Sequence, residues 1–187
     1  MNIKSLFKKV LVFCVVSFFN YSLSAQQDKV IENIKNDNLK VEVLDWLGTP
    51  YKYACATKKG TDCSGFVSAI YKQVYGIEVS RSSSDIINNM NKTFKNTGKL
   101  KEGDVLFFMI NGKRISHVGL YLNDGYFIHA STKRGVVINN LEEEYYTKYF
   151  YKAGRVLKKN KDAGIGIMAM DFHSLVIRPL LPILIVS

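Results

Sequence analysis

A chain of 187 residues that is 47% apolar can bury a hydrophobic core, which excludes an intrinsically disordered protein. Its net charge of +10 suits nucleic acid, anionic lipid or the acidic polymers of a bacterial wall as partners. Because the sequence has no dense stripe of Lys and Arg interleaved with aromatic residues, we expect no nucleic-acid partner.

The N-terminus has the composition of an export signal. Three lysines precede the apolar stretch 10–19, and small residues follow it up to Ala25. An uncleaved membrane anchor is the weaker alternative, because this stretch is shorter than the ~20 residues that a bilayer-spanning helix needs. We therefore predict a signal peptide at residues 1–25 and a mature protein that is exported to the periplasm, the cell wall or the medium, without stable membrane insertion.

Two stretches that follow have the apolar periodicity of helices. In residues 30–47 apolar side chains recur at three- and four-residue steps, which predicts one amphipathic helix ending at Gly48-Thr49-Pro50. The second helix begins after Asp62, whose side chain suits an N-cap, and ends at Gly76. Its apolar stripe consists of Phe66, Ile70, Tyr71 and Val74.

From Asp104 onward the pattern changes to short runs rich in branched and aromatic residues, which is typical of strands. Asn111-Gly112 and residues 123–125 are turn signals between these runs, so we expect antiparallel hairpins. Helices followed by an antiparallel sheet describe an α+β domain, which we place at residues 26–160. The predicted strands are residues 105–110, 115–122, 126–131 and 136–138.

The C-terminal residues 161–187 form an apolar tail that is harder to interpret. Asp171, His173 and Arg178 interrupt its apolar run, and two prolines would break a helix there. A membrane span is therefore a poor interpretation, and the sequence assigns the tail no function.

Cys63 is the candidate nucleophile. It would occupy the first turn of the second predicted helix, where unpaired backbone N–H groups and the helix dipole stabilise a thiolate and can hold an oxyanion. The plainer interpretation is a structural thiol. Cys14 lies in the predicted signal peptide, so the mature chain keeps Cys55 and Cys63, which could form a disulfide in an oxidising compartment.

A thiol nucleophile needs a base, and the chain offers His117, His129 and His173. With a three-residue hairpin loop, Gly119 lies opposite His129, and His117 is the diagonal neighbour of His129 on the same face. A loop of two or four residues would separate the two histidines onto opposite faces. We predict a Cys–His–His relay in which His117 takes the thiol proton and His129 orients His117; each histidine could instead be a core residue.

Cysteine and histidine together also suit a zinc site, but the chain has no Cys-x-x-Cys and no His-x-x-x-His pair to begin one. A glycine-rich phosphate loop is also absent from the sequence. We therefore expect no metal and no other cofactor.

Five blocks of sequence, in order between Leu44 and Val156, resemble the NlpC-type family of cell-wall cysteine peptidases. The resemblance implies a papain-like α+β fold with N-terminal helices packed on an antiparallel sheet. It also implies hydrolysis of peptidoglycan stem peptides, usually at the bond from D-γ-glutamate to a diamino acid. The blocks are Gly48-Thr49-Pro50-Tyr51, Asp62-Cys63-Ser64-Gly65-Phe66, residues 103–108, residues 116–121 and residues 127–131.

The same resemblance implies substrate-binding residues beside the nucleophile, namely Tyr51, Asp62, Ser64, Arg81 and Ser83. The sequence departs from the family pattern in two places, of which the first weakens the assignment of Arg81 and the second concerns the shape of the cleft. Ser80 replaces a usual proline before Arg81, and Tyr53-Ala54-Cys55 replaces a glycine pair that lets the substrate backbone approach closely.

We interpret the chain as a monomeric, cofactor-free peptidoglycan endopeptidase with Cys63, His117 and His129 as its catalytic residues. A non-catalytic wall-binding protein with structural cysteines is one alternative. A thiol amidase or acyltransferase that acts on another acyl substrate is the other.

Overall fold

Residues 25–156 are described by a computed structural model of the chain. The predicted C-terminal tail and all but the last residue of the predicted signal peptide lie outside these residues, as do Cys14 and His173. The first described element is helical over residues 25–32 (α1), and the next helix, α2, spans Asp37–Trp46.

The prediction of one continuous helix from residue 30 to residue 47 is wrong, because the chain breaks between α1 and α2. The Asn36 side chain caps α2 by accepting a hydrogen bond from the backbone N–H of Leu39 at 3.1 Å. The Glu102 carboxylate accepts two further hydrogen bonds, from the backbone N–H of Lys35 at 2.7 Å and of Asn36 at 3.0 Å. A distant side chain thus satisfies backbone donors that a continuous helix would have used internally.

The second predicted helix is confirmed with its caps. Helix α3 spans Cys63–Tyr75, with Asp62 as N-cap and Gly76 as C-cap in the left-handed conformation, at φ 66°. Its apolar stripe faces α2, where the rings of Trp46 and Phe66 meet edge to face with centroids 5.5 Å apart.

A six-stranded sheet, antiparallel throughout, follows in the order β3-β8-β4-β5-β6-β7, and a two-stranded hairpin, β1-β2, precedes α3. The four predicted strands are confirmed as β4 to β7. The strands are β1 Ala56–Thr57, β2 Gly60–Thr61, β3 Lys92–Phe94, β4 Val105–Phe108, β5 His117–Tyr121, β6 Tyr126–Ser131, β7 Gly135–Asn140 and β8 Phe150–Arg155.

The sequence analysis missed helix α4 (Glu144–Tyr149) and strand β8, among other short elements. Strand β8 lies between β3 and β4 and is fixed by Arg155, whose guanidinium donates two hydrogen bonds of 2.6 Å to the buried carboxylate of Asp104. Because a charged pair holds β8 in place, the apolar periodicity of the sequence alone gave little indication of this strand.

Alternate residues of β4 face two apolar clusters, one on each side of the sheet. Val105 and Phe107 pack with the helices, whereas Leu106 and Phe108 pack with residues of β6 and α4. Within residues 25–156, no helix combines the length and the apolar character that a bilayer crossing requires.

Candidate active site

Cys63 is the first residue of α3 and is buried, with 8% of its surface exposed. The backbone N–H groups of Val118 and Ser64 lie close enough to its sulfur to lower the pKa of the thiol. Val118 follows His117 in β5, so the candidate nucleophile lies beside the strand that carries the candidate base.

The backbone N–H groups at the helix terminus lower the pKa of Cys63, as the sequence analysis expected, but burial is the larger influence. Burial raises the pKa of the thiol, and the negative charge of Asp62 raises it further. Backbone N–H groups act in the opposite direction without outweighing burial. The resting group is therefore a neutral thiol, which needs a base before it can attack.

The predicted hairpin register is confirmed. Leu120 pairs with Ile128 and Tyr121 with Phe127, which is the register of a three-residue loop. His117 and His129 consequently share a face, and Nε2 of His117 lies 2.9 Å from Nδ1 of His129.

Gly119 makes room for this histidine pair. A Cβ atom at that position would lie 2.8 Å from a ring carbon of Phe127 and 3.1 Å from Cβ of His129. A larger residue would therefore press on the ring that packs beside His129 and on His129 itself.

Both histidines are neutral at physiological pH. Burial lowers the pKa of His117, and a charge on neighbouring His129 would lower it further. Burial also lowers the pKa of His129, an effect that the hydrogen bond to Asn139 partly offsets. A neutral imidazole keeps one unprotonated nitrogen and can therefore act as a base toward the thiol.

The hydrogen-bond network continues past the histidines to residues that sequence reasoning missed. Nε2 of His129 lies 3.1 Å from Oδ1 of Asn139 and 3.0 Å from the Tyr146 hydroxyl. The predicted strand stopped at residue 138, one residue before Asn139. A count of alternate residues to the true end of β7 would have placed Asn139 on the histidine face.

The substrate-binding candidates around the nucleophile are brought together by the loop before α3. Asp62 accepts hydrogen bonds from the backbone N–H of Gly65 at 2.6 Å and from the Ser64 hydroxyl at 2.9 Å. Arg81 approaches the same carboxylate at 3.8 Å and donates to the Cys55 carbonyl at 3.2 Å. Tyr51 pairs with Thr61, the residue before Asp62, in an isolated β-bridge. Burial raises the pKa of Tyr51, and the charges of Cys63 and Asp62 raise it further.

A polar cleft of about 570 Å³ opens beside the two candidate catalytic residues. Asp62 and Ser64, which flank Cys63, lie on one side, and Ser116, which precedes His117, lies on another. The cleft is also lined by Tyr53, Ala54, Arg81, Ser82, Ser83, Ser84, Asn111, Arg114 and Ile115.

The segment that departs from the family pattern forms part of this cleft. Tyr53 is 84% exposed, and Ala54 adopts a positive φ of 58°, a conformation that favours glycine. Cys55 and Cys63 are both free thiols, so the disulfide considered for this pair is not formed.

Within residues 25–156, no three His, Cys, Asp or Glu side chains cluster as a metal site. The chemistry that this arrangement supports is nucleophilic attack by a thiol with an imidazole as base.

Comparison with known proteins gives a consistent result. The sequence model of the NlpC/P60 family matches residues 48–155, which is more than half of the chain. The murein DD-endopeptidase MepS/murein LD-carboxypeptidase of Escherichia coli (strain K12) is 36% identical over 143 residues, which cover 74% of each protein. A probable endopeptidase NlpC homolog of Haemophilus influenzae is 34% identical, over 74% of this chain and 68% of that protein.

A solved structure resembles the fold. The crystal structure of an NlpC/P60 family protein from Bacillus cereus superposes with a TM-score of 0.59 at 34% identity. The match covers 65% of this chain and 40% of that longer protein.

Proposed function

Because the chain belongs to the NlpC/P60 family, we propose that it is a cysteine-type peptidoglycan endopeptidase that hydrolyses the stem peptides of the bacterial wall. The observation that carries the proposal is the position of Cys63. Its sulfur lies at the tip of α3, next to the strand residue that follows His117, and His117 is hydrogen-bonded to His129.

In the proposed reaction His117 takes the thiol proton at Nδ1, since its Nε2 is engaged by His129. The sulfur attacks the peptide carbonyl, and backbone N–H groups at the start of α3 stabilise the oxyanion. His117 gives its proton to the leaving amine, and a thioester remains on Cys63. A water that loses a proton to His117 then hydrolyses the thioester, which releases the acid and restores the thiol.

The cleft supports a peptide substrate that carries charges of both signs. The guanidinium groups of Arg81 and Arg114 suit the carboxylates of a stem peptide, and Asp62 suits an amine. Tyr51, Ser64 and Ser83 are proposed to complete the binding site. Ser83 lines the cleft and Ser64 is hydrogen-bonded to Asp62, whereas Tyr51 lies near Cys63.

Two bonds of the stem peptide are candidates for cleavage. The family resemblance favours the bond from D-γ-glutamate to the diamino acid. The name of the E. coli relative favours a D,D cross-link instead. Products from purified muropeptides of defined cross-linking, identified by mass spectrometry, distinguish the two, and an added amine acceptor reveals any acyltransfer.

The substitution Cys63→Ala tests the mechanism, with Cys55→Ala as its matched control. We expect Cys63→Ala to abolish the release of stem-peptide fragments from purified peptidoglycan, because no other described thiol lies beside His117. Cys55→Ala, which removes the other described thiol, should retain release.

Thermal unfolding of both variants would verify that each is folded. Undiminished release by folded Cys63→Ala would refute the thiol mechanism. Absence of release by the wild type, with retained binding to peptidoglycan, would favour a non-catalytic wall-binding protein.

A further inference from the structure

A continuous network of hydrogen bonds leads from the surface of α4 to the candidate base. Both oxygens of the Glu143 carboxylate accept from Nδ2 of Asn139, at 2.8 and 3.0 Å. Oδ1 of Asn139 lies 3.1 Å from Nε2 of His129, whose Nδ1 lies 2.9 Å from Nε2 of His117. The network thus ends at the ring of His117, the candidate base.

The orientation of the Asn139 amide is dictated from both of its ends. Arg134 donates from Nη2 to Oδ1 of Asn139 at 2.8 Å, and a guanidinium can only donate. Glu143 holds the other end, and a carboxylate can only accept. The amide oxygen therefore faces His129. A flipped amide would place its Nδ2 donor against the Arg134 donor and its Oδ1 acceptor against the Glu143 carboxylate.

An acceptor opposite Nε2 of His129 decides where each neutral ring carries its proton. Nε2 of His129 must be the protonated nitrogen, which leaves Nδ1 as the acceptor. His117 must then donate from its own Nε2–H to this Nδ1. The remaining nitrogen of His117, Nδ1, keeps its lone pair and can accept the thiol proton.

If both rings carried their protons on Nδ1, His117 would have no free nitrogen to accept the thiol proton. The Tyr146 hydroxyl is a group that could impose this arrangement. The Tyr146 hydroxyl lies 3.0 Å from Nε2 of His129 and can either donate or accept. If it donated, His129 would carry its proton on Nδ1 and donate to Nε2 of His117, whose own proton would then occupy Nδ1. With Asn139 in place, the hydroxyl instead shares the proton of Nε2 as a second acceptor.

We propose that Asn139, oriented by Arg134 and Glu143, is a positioning residue that fixes the proton of His129 on Nε2 and thereby frees Nδ1 of His117 to act as the base. The catalytic part of this inference rests on the proposed function, whereas the placement of the protons does not. The charged and titratable groups that face His129 are His117 on β5, Arg134 before β7, and Glu143 and Tyr146 at α4. Phe127 stacks on the remaining face of the ring.

The placement of the protons is measured by nitrogen NMR on protein labelled with ¹⁵N in histidine, where protonated and unprotonated ring nitrogens resonate far apart. In the wild type we expect both His117 and His129 to carry their proton on Nε2. In Asn139→Leu the acceptor that opposes donation by the Tyr146 hydroxyl is lost, and the hydroxyl is free to donate to Nε2 of His129. We therefore expect a population to appear in which both histidines carry their proton on Nδ1. A wild type with protons on Nδ1, or an Asn139→Leu variant with unchanged resonances, would overturn the proposal.

The kinetic arm uses the release of fragments from peptidoglycan. Asn139 does not line the cleft, so Asn139→Leu should lower kcat by about tenfold or more with little change in KM. The double variant Asn139→Leu with Tyr146→Phe removes the competing donor and should recover part of that loss. A purely structural role would instead make the double variant worse than the single one.

Two further variants separate proton placement from general damage. Asn139→Asp combined with Glu143→Gln exchanges the amide and the carboxylate, keeps an acceptor opposite His129, and should retain the wild-type resonances and kcat within about threefold. Asn140→Leu keeps the backbone N–H that bonds Glu143 and removes only a side-chain amide that accepts from the backbone N–H of Glu142, so it should change neither. Loss of the resonance pattern in the exchanged pair would overturn the proposal.

The outcomes also separate this proposal from the proposed function. A wild type with the expected resonances but no release of fragments from peptidoglycan would refute the function and support the proton placement. Retained hydrolysis with the opposite resonances would refute the proton placement alone.

Discussion

The chemistry of the candidate site starts from two neutral groups, a thiol and an imidazole. Burial is the largest influence on both and acts in opposite directions, since it raises the pKa of Cys63 and lowers that of His117. Both shifts disfavour a preformed thiolate–imidazolium pair. Proton transfer is therefore expected only when a substrate reaches the cleft and attack begins.

Alkylation of Cys63 by iodoacetamide tests this resting state, because only a thiolate reacts. Since the pKa of Cys63 is raised, the rate should be low at pH 6 and should rise continuously to pH 9. Cys55→Ala protein that begins at Gln26, and therefore lacks Cys14, isolates the signal of Cys63. An alkylation rate that has already reached its plateau at pH 6 would indicate a preformed thiolate–imidazolium pair and would contradict a neutral thiol beside a neutral imidazole.

At the scale of elements, polar contacts decide where several helices and strands begin and end. The Glu102 carboxylate holds the backbone between α1 and α2, Asp62 caps the start of α3, and the pair of Asp104 and Arg155 joins β8 to the residue before β4. These contacts involve side chains that are distant in sequence or lack apolar periodicity.

The pair of Asp104 and Arg155 should matter more to stability than an exposed pair does. Asp104 is 1% exposed, so Asp104→Asn leaves a guanidinium without its charged partner and should lower the free energy of unfolding by about 2–3 kcal/mol. Urea unfolding measures this change, and adding Arg155→Gln should cost less than the sum of the two single changes.

The exposed pair of Lys72 and Glu78 is the control, with side chains that are 69% and 80% exposed. Lys72→Ala should leave unfolding unchanged, because water already solvates both charges. If Lys72→Ala and Asp104→Asn lowered the free energy of unfolding equally, burial would not be what makes the pair of Asp104 and Arg155 important for stability.

At the scale of the whole molecule, the proposed substrate requires the enzyme to reach the wall. The three N-terminal lysines and the apolar stretch 10–19 predict that route, and they lie outside the described residues. A mature chain without these three lysines has 23 Lys and Arg against 16 Asp and Glu, and its net charge of +7 suits attraction to acidic wall polymers. Export, a monomeric state and a periplasmic or extracellular location remain predictions.

N-terminal sequencing of the protein recovered from the cell envelope or the medium tests export. We expect the mature chain to begin at Gln26, because the small residues that end at Ala25 suit cleavage there. Replacing the apolar stretch with polar residues should retain the full-length chain in the cytoplasm. A full-length chain in the envelope would indicate an uncleaved anchor instead.

Much of the candidate site could be predicted from local sequence. The step between the two histidines, combined with a three-residue loop, predicted the register that brings His117 and His129 to one face. Asp62 and Gly76 predicted the limits of α3, and with them the position of Cys63. These features depend on residues near each other in the chain, so periodicity and capping preferences suffice to predict them.

Other features were decided only by the tertiary structure. Local sequence predicted a continuous helix where the chain breaks between α1 and α2, and it gave no sign of the burial that raises the pKa of Cys63. The contact of Asn139 with His129 was likewise not predicted. The sequence by itself determined which groups could react, whereas burial and long-range hydrogen bonds decided their protonation, because a pKa depends on every dipole and charge that the fold brings near a group.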